Sequence, residues 1–278
     1  MTWLSAIIMG LVQGIAEFLP ISSSGHLAIA EHLLNMQGAS EIPQFYDVLL
    51  HLGTLVAVFI AYWDEIYDMI VEFFAGVGDL VHHTTPRVVP PARRMILLVI
   101  VGTLPLFLVL PINDKVEELY YITPFIGAAL LLTGCMLFVS DKMAPGTRTE
   151  RNMRFRDALT IGLCQCVATI PGLSRSGATI TAGIATGLDR TFAMKYSFLL
   201  SLPAVLGANL LSFIKAIGEE SIEASLIPAY LLGMLAAMLS GIAAISLMKL
   251  ITKKSKFGWF AYYCWGAGVL TIILSLIF

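Results

Sequence analysis

The sequence predicts an all-α polytopic membrane protein, with six transmembrane helices and two re-entrant helical hairpins arranged as two inverted repeats. Of its 278 residues, 58% are hydrophobic and 13% are charged, whereas soluble domains carry about 25% charged residues. Six apolar stretches are close to the roughly 17–25 residues that cross a bilayer. Two further apolar regions are each interrupted by a polar loop. We therefore expect residues 1–278 to form a single membrane domain.

The six predicted crossings are bounded by charged residues, proline or glycine. They lie at about 45–63, 95–111, 122–140, 191–214, 226–248 and 258–278. After the first crossing, residues 64–81 mix acidic side chains with large apolar ones. This pattern predicts an amphipathic helix on the membrane surface.

Basic residues set the predicted orientation of the crossings. They cluster at residues 87–94, 142–156 and 249–256, in three loops that the crossings place on one side. Loops rich in lysine and arginine face the cytoplasm, so the first 40 residues begin outside it.

Residues 4–35 and 158–189 match none of the six crossings, because polar loops interrupt them at 20–26 and 171–179. Irregular backbone at membrane depth is tolerated only where it is buried in protein or lines a wet cavity. We therefore predict two re-entrant hairpins whose loops face a common interior site. The first hairpin enters from outside and the second from the cytoplasm.

An internal repeat relates the two hairpins. A shift of 152 residues pairs Gly10, Gln13, Ser22, Ser24 and Gly25 with Gly162, Gln165, Ser174, Ser176 and Gly177. The repeats extend over about 1–140 and 155–278, and each holds one hairpin and three crossings. An odd number of crossings inverts the second copy. Such repeats hold their sites near the bilayer midplane, where interrupted helices direct their N-termini at an anion.

The first hairpin carries the residues best suited to chemistry. Gln13 and Glu17 share one helix face, and the serines and histidine of residues 22–26 follow them. A carboxylate at hydrocarbon depth costs a few kcal/mol and marks a functional candidate, although an incidental ion pair is the alternative. The serine-rich helix start predicts either an anion cradle or only a helix cap. His26 suits a general base, a proton donor or a nucleophile.

Arg175 occupies the second loop, between Ser174 and Ser176. Its planar guanidinium suits two phosphate oxygens, and a distant pairing with Glu17 is the structural alternative. Together these groups suit an anionic phosphorus substrate and a divalent cation. The motifs GxxxxGK[ST], HExxH and GxSxG are absent from the sequence, so nucleotide-driven transport, zinc proteolysis and α/β-hydrolase chemistry have no support.

The segments QGIAEFLPISSSGHL at 13–27 and PGLSRSGATI at 171–180 closely resemble the two signature motifs of the undecaprenyl-pyrophosphate phosphatase family of the bacitracin-resistance type. The resemblance extends over essentially the whole chain. It implies a bacterial plasma-membrane enzyme that removes the terminal phosphate of undecaprenyl pyrophosphate and so recycles the lipid carrier for cell-wall synthesis. It also implies a requirement for Mg²⁺ or Ca²⁺ and an active site that faces the extracytoplasmic side.

The helix caps and this resemblance together predict the roles of individual residues. The catalytic residues are Glu17, Ser23, His26 and Arg175. The substrate-binding residues are Gln13, Ser22, Ser24, Gly25, Ser174, Ser176, Gly177 and Thr179. Glu17 and Gln13 form the metal site, in which a neutral amide is a weaker ligand than a second carboxylate. We favour Ser23 as nucleophile with His26 as base, and attack by His26 is the alternative.

Two other functions share this architecture. A flippase that carries a polyprenyl phosphate across the membrane uses inverted repeats but needs no nucleophile. A lipid phosphatase of broader specificity has the same site. The expected partners are the polyprenyl diphosphate and the membrane, without nucleic acid. A homodimer face of small residues and their intramolecular packing are alternative explanations of Gly233, Ala236, Ala237, Gly241 and Ala244.

Overall fold

The computed structural model describes residues 2–35, 43–84, 88–219, 224–253 and 257–277. Within these ranges the regular secondary structure is helical, apart from a single bridge between Arg148 and Leu188. The α-helices are α1 Trp3–Phe18, α2 Ser23–Asn35, α3 Gln44–Ala61, α4 Trp63–Val81, α5 Pro91–Thr103, α6 Asn113–Glu118, α7 Thr123–Lys142, α8 Phe155–Val167, α9 Arg175–Ala185, α10 Arg190–Glu219, α11 Ile227–Lys253 and α12 Gly258–Ile277. Short 3₁₀ helices lie at Leu104–Leu108, Leu110–Ile112, Leu119–Tyr121 and Ala224–Leu226.

Six helical segments of the described chain are long and apolar enough to cross a membrane. They are Gln44–Ala61, Pro91–Val116, Thr123–Lys142, Arg190–Lys215, Ile227–Lys253 and Gly258–Ile277. The all-α, multi-pass prediction is therefore confirmed, and five of its six crossings agree closely in extent. The second segment is longer than the predicted 95–111, because α5 continues into 3₁₀ turns at Pro105 and Pro111. Proline lacks an N–H donor and so interrupts the α-helical pattern.

Helix α4 corresponds to the amphipathic helix predicted at 64–81. Ile66 is its one buried residue, and Phe73 and Phe74 are exposed, as expected of a helix that lies on a membrane. Arg93 of α5 holds α4 by ion pairs to Glu72 and Asp79, with nitrogen–oxygen distances of 3.0 and 2.7 Å. The hydrogen bond from Arg93 holds the pKa of the Asp79 carboxyl below its usual value.

The core depends on close helix crossings at small residues. Helix α1 packs on α11 and α3, and α7 packs on α12. At the crossing of α1 and α11, a Cβ on Gly10 would collide with the carbonyl oxygen of Gly233. Ala237 and Ala244 of α11 are buried, and Gly241 packs against Phe18. The small residues of α11 thus pack within the chain, and a homodimer through this face has no support.

Two helix breaks interrupt the apolar regions that fit no crossing. They lie at residues 19–22, between α1 and α2, and at 168–174, between α8 and α9. In each pair the two helices pack on each other. Ser22 has a φ of 71° and Gly172 a φ of 87°, so the chain turns through the left-handed region at both breaks. The breaks are shorter than the predicted loops, because the residues after the capping serines are already helical.

Candidate active site

Both breaks end in the same serine cap. The backbone N–H of Gly25 donates to Ser22 Oγ at 3.3 Å, and that of Gly177 donates to Ser174 Oγ at 3.0 Å. In each cap a second serine hydroxyl lies 3.2 Å from the first, at the pairs Ser22–Ser24 and Ser174–Ser176. A serine that caps a helix leaves other first-turn N–H groups free to bind an anion. The predicted caps are therefore present at α2 and α9.

The two breaks lie against each other. The N–H of Gly172 donates to Ser24 Oγ at 3.3 Å, and Ser176 Oγ donates to the Leu19 carbonyl at 3.4 Å. A Cβ on Gly25 would lie 3.3 Å from the Cα of Gly172, so the absence of side chains permits this approach. Thr133 of α7 supports the second break, since it donates to the Gly172 carbonyl at 3.3 Å. The helix starts of α2 and α9 thus meet at one place.

Glu17, near the end of α1, joins the two helix starts. It is 9% exposed. Ser23, the first residue of α2, donates its hydroxyl to Glu17 Oε2 at 2.6 Å. Arg175, the first residue of α9, donates to Glu17 Oε1. Gln13 Nε2 lies 3.3 Å from Oε2. The structure therefore brings Gln13, Glu17, Ser23 and Arg175 together, and the pairing of Arg175 with Glu17 is present.

His26 lies beside this cluster but its ring nitrogens bond elsewhere. Its Nδ1 is 2.7 Å from the Ser22 carbonyl oxygen, and its Nε2 is 2.7 Å from the hydroxyl of Tyr263. The two rings are stacked, with centroids 5.6 Å apart and planes 13° apart. The group that contacts the Ser23 hydroxyl is Glu17. Assignment of His26 as the base for Ser23 stays a prediction that no contact supports.

Tyr263 is the site neighbour that sequence reasoning missed. It belongs to α12 and lies 237 residues after His26. The adjacent Tyr262 and Trp265 give α12 an aromatic run of the kind that is common at membrane interfaces. No spacing in the sequence distinguishes the tyrosine that contacts His26.

Two other features border the Glu17–Arg175 pair. His51 of α3 lies within electrostatic range of both residues, and its Nδ1 is 3.0 Å from the Asp47 carbonyl oxygen. A cavity of about 10 Å³ separates the pair from α10, where Ser197 and Ser201 line it. A cavity of this size holds one water. It leaves no room for a diphosphate on the α10 side.

Thr179 does not face the helix breaks as a free hydroxyl. Its Oγ1 donates to the Arg175 carbonyl at 2.8 Å and lies 2.6 Å from the Ser197 hydroxyl. Thr179 is 1% exposed. Its role as a substrate-binding residue stays a prediction, and in this structure it joins α9 to α10.

The donor set for a cation is small. Among the described residues, no group of three or more histidine, cysteine or acidic side chains could hold a metal ion. Gln13 Oε1, however, is buried without a hydrogen-bond partner, four residues from Glu17. One carboxylate and one amide oxygen, completed by water and substrate phosphate, suit the way Mg²⁺ is bound in proteins. The residues therefore fit a cation that is held partly by the substrate.

Comparisons with known proteins decide the family. The family described as "Bacitracin resistance protein BacA" matches residues 6–270. The chain belongs to the BacA family. A relative from Methanosphaera stadtmanae is 41% identical over 99% of this chain and 98% of its own length. One from Alkaliphilus metalliredigens is 39% identical over the full length of both chains. Each of the two relatives carries the name "Undecaprenyl-diphosphatase".

The family resemblance predicted from the two loops is thus confirmed over the whole chain. In this BacA chain the first motif contains the break between α1 and α2, and the second motif contains the end of the break between α8 and α9. The two breaks meet at Glu17. Helices α3–α8 lie between the two motifs in the sequence.

The Glu17–Arg175 pair makes a prediction about stability. Removal of one partner leaves the other charge buried and uncompensated, so we expect Arg175→Met to lower the free energy of unfolding by about 3–5 kcal/mol. Glu17→Gln in the same chain should recover much of this loss, because an amide needs no counter-charge. Unfolding of the purified protein in mixed micelles measures both.

Arg156→Met is the matched control, because Arg156 is exposed at the start of α8. Its free energy of unfolding should equal that of the wild type. Losses that simply add in the double variant would contradict the pairing.

Proposed function

We propose that this chain hydrolyses undecaprenyl pyrophosphate to undecaprenyl phosphate and inorganic phosphate, which recycles the lipid carrier for cell-wall synthesis and confers resistance to bacitracin. The observation that carries the proposal is that Glu17 accepts hydrogen bonds from both Ser23 and Arg175. One of its oxygens accepts from the Ser23 hydroxyl and the other from Arg175. A hydroxyl, a proton acceptor and an anion-binding cation thus lie at two adjoining helix N-termini. Full-length relatives named undecaprenyl-diphosphatase support the choice of substrate.

In the first chemical step, Ser23 Oγ attacks the terminal phosphorus. The Ser23 proton passes to Glu17 Oε2, to which the hydroxyl is already bonded. The bond from phosphorus to the bridging oxygen breaks, and undecaprenyl phosphate leaves with the electron pair. Arg175 and the free N–H groups of α2 and α9 hold the phosphate oxygens as charge develops. Binding of phosphate draws Arg175 away from Glu17 and leaves the carboxylate able to accept the proton.

In the second step, water attacks the phosphoserine. Glu17 returns its proton to Ser23 Oγ as the phosphorus–oxygen bond breaks, and the attacking water passes a proton to solvent or phosphate. Inorganic phosphate leaves and the enzyme is restored. Gln13 Oε1 and Glu17 would hold Mg²⁺ or Ca²⁺, which supplies positive charge to the diphosphate oxygens when it is bound.

The two helix breaks also support an arrangement as inverted repeats. A Cβ on Gly25 would lie 3.3 Å from Gly172, and a Cβ on Gly177 would lie 3.4 Å from Pro20. A shift of 152 residues relates Gly25 to Gly177 and Pro20 to Gly172. Reciprocal contacts of this kind are typical of a two-fold axis. We propose that such an axis passes between the breaks and relates two re-entrant hairpins that enter from opposite sides.

The helix crossings repeat in the same way. A Cβ on Gly10 would collide with Gly233, and a Cβ on Gly162 would collide with Gly102. The first crossing joins α1 to α11 and the second joins α8 to α5. In each case the first helix of one repeat packs on a helix of the other repeat through the same kind of glycine contact. The charge distribution of the loops supports a site that opens to the extracytoplasmic side of the plasma membrane.

A polyprenyl-phosphate flippase is the alternative. It would explain paired repeats and an anion-binding arginine. It gives no reason for a serine hydroxyl that donates to a buried carboxylate, so hydrolysis accounts for more of the site.

Phosphate release tests the function. Purified wild type should release phosphate from a C55 polyprenyl diphosphate, and Ser23→Ala should lose at least about a thousandfold of this rate because it removes the nucleophile. Arg175→Ala should also abolish release. Chelator should remove the activity, and Mg²⁺ or Ca²⁺ should restore it.

Ser246→Ala is the matched control, because Ser246 is exposed and donates only within its own helix, to the Ile242 carbonyl at 2.8 Å. It should retain the wild-type rate. Turnover by Ser23→Ala together with inactivity of a folded His26→Ala variant would make His26 the attacking group. A folded wild type that binds the lipid but releases no phosphate would favour the flippase.

Cysteine labelling tests the orientation. In a chain whose exposed Cys135 is replaced by alanine, Tyr121→Cys should react with an impermeant maleimide in intact cells. Thr84→Cys should react only after permeabilisation. Tyr121 is 88% exposed and Thr84 is exposed. A difference in labelling therefore shows on which side of the membrane each residue lies, and burial does not explain it. The reverse labelling pattern would move the site to the cytoplasmic side.

A further inference from the structure

Tyr263 contacts His26, and this contact has no part in the two chemical steps proposed above. Its hydroxyl lies 2.7 Å from His26 Nε2. The near-parallel stacking of the two rings, at 5.6 Å, restricts rotation of the imidazole. Since the residue lies in α12, the last helix of the chain, this contact connects the C-terminal helix to the start of α2.

The other ring nitrogen of His26 determines its tautomer. Nδ1 is 2.7 Å from the carbonyl oxygen of Ser22. A carbonyl oxygen only accepts hydrogen bonds, so Nδ1 carries a proton. Nε2 is then the nitrogen that gains or loses a proton, and in the neutral ring its lone pair accepts from the Tyr263 hydroxyl. Ser22, with its left-handed backbone, and Tyr263 together hold the ring at both nitrogens.

The direction of Nε2 separates His26 from the Ser23–Glu17 pair. The Ser23 hydroxyl is bonded to Glu17 at 2.6 Å, whereas Nε2 points to α12. Tyr263 is 48% exposed, and large apolar side chains of the same helix, such as Val269 and Leu270, are exposed as well. In a membrane protein these exposed apolar groups face lipid. A phosphate that is attached to a lipid tail reaches the site most directly from such a side.

We propose that Tyr263 is a positioning residue, which holds His26 with Nε2 directed toward the lipid-attached end of the diphosphate and away from Ser23. This inference rests on the proposed phosphatase function. Tyr263 itself forms no bond to phosphorus. Its effect on turnover passes through His26, which in its protonated form donates from Nε2 to the departing phosphate of undecaprenyl phosphate and then regains the proton from solvent.

Tyr263→Phe keeps the stacked ring and removes the hydroxyl. We expect kcat to fall by about tenfold, a part of what a general acid or base contributes, while KM stays unchanged. In a His26→Ala chain, Tyr263→Phe should cause no further loss. Tyr262→Phe is the matched control, because this neighbouring ring packs on Phe138 and Trp265. It should behave as the wild type.

A second readout does not depend on activity. Diethyl pyrocarbonate acylates neutral imidazole nitrogen, and mass spectrometry reports the rate at each histidine. Tyr263→Phe should raise the rate at His26 relative to His82, an exposed histidine after α4 that serves as an internal reference. The rate in Tyr262→Phe should equal that of the wild type.

Three results would overturn the inference: an unchanged kcat in Tyr263→Phe, an unchanged reactivity of His26, or losses that multiply in the double variant. The proposed function can fail separately. If the wild type releases no phosphate but Tyr263→Phe raises the reactivity of His26, the phosphatase function is contradicted while the contact between Tyr263 and His26 is confirmed.

Discussion

The structure depends on the compensation of one buried carboxylate. A charge in a low-dielectric interior is tolerated only when a counter-charge and hydrogen-bond donors surround it. Glu17 obtains the counter-charge from Arg175 and a hydroxyl from Ser23. These residues begin α9 and α2, so satisfying Glu17 requires both helix breaks to meet. The close contacts at Gly25 and Gly172 allow the breaks to approach. The reactive arrangement and the packing of the two halves are therefore one feature.

The two halves of the sequence match in their helix caps and differ at the residues that carry the proposed chemistry. Ser23 and Arg175 occupy equivalent places at the starts of α2 and α9, yet one has a hydroxyl and the other a positive charge. Thr169 stands where the first half has Glu17, and the amide of Gln165, the counterpart of Gln13, is buried without a partner. The second half has the same helix cap without the carboxylate. The two matched halves therefore differ at the residues of the candidate site.

Local patterns in the sequence predict the helices and their interruptions well. Hydropathy is enough for the six crossings and α4, because burial in lipid requires long apolar segments. Pro20 and Pro171, with the serines after them, identify the breaks. The exact helix starts were missed, since a capping serine is followed at once by helical residues. Glu17 and Arg175 lie 158 residues apart, and the prediction that both loops face one interior site, together with the repeat, suggested that they meet. The Tyr263–His26 contact has no such signal, because side-chain packing between distant helices decides it.

The central claim is that Ser23 reacts while Glu17 holds its proton and Arg175 holds the phosphate. The most direct test is a reaction of the wild type with a C55 diphosphate labelled in its terminal phosphate, quenched in acid within the first turnover. The account predicts label on the peptide that contains Ser23, as an acid-stable phosphoserine that is absent from Ser23→Ala. Label on His26, with the acid lability of phosphohistidine, would contradict the account.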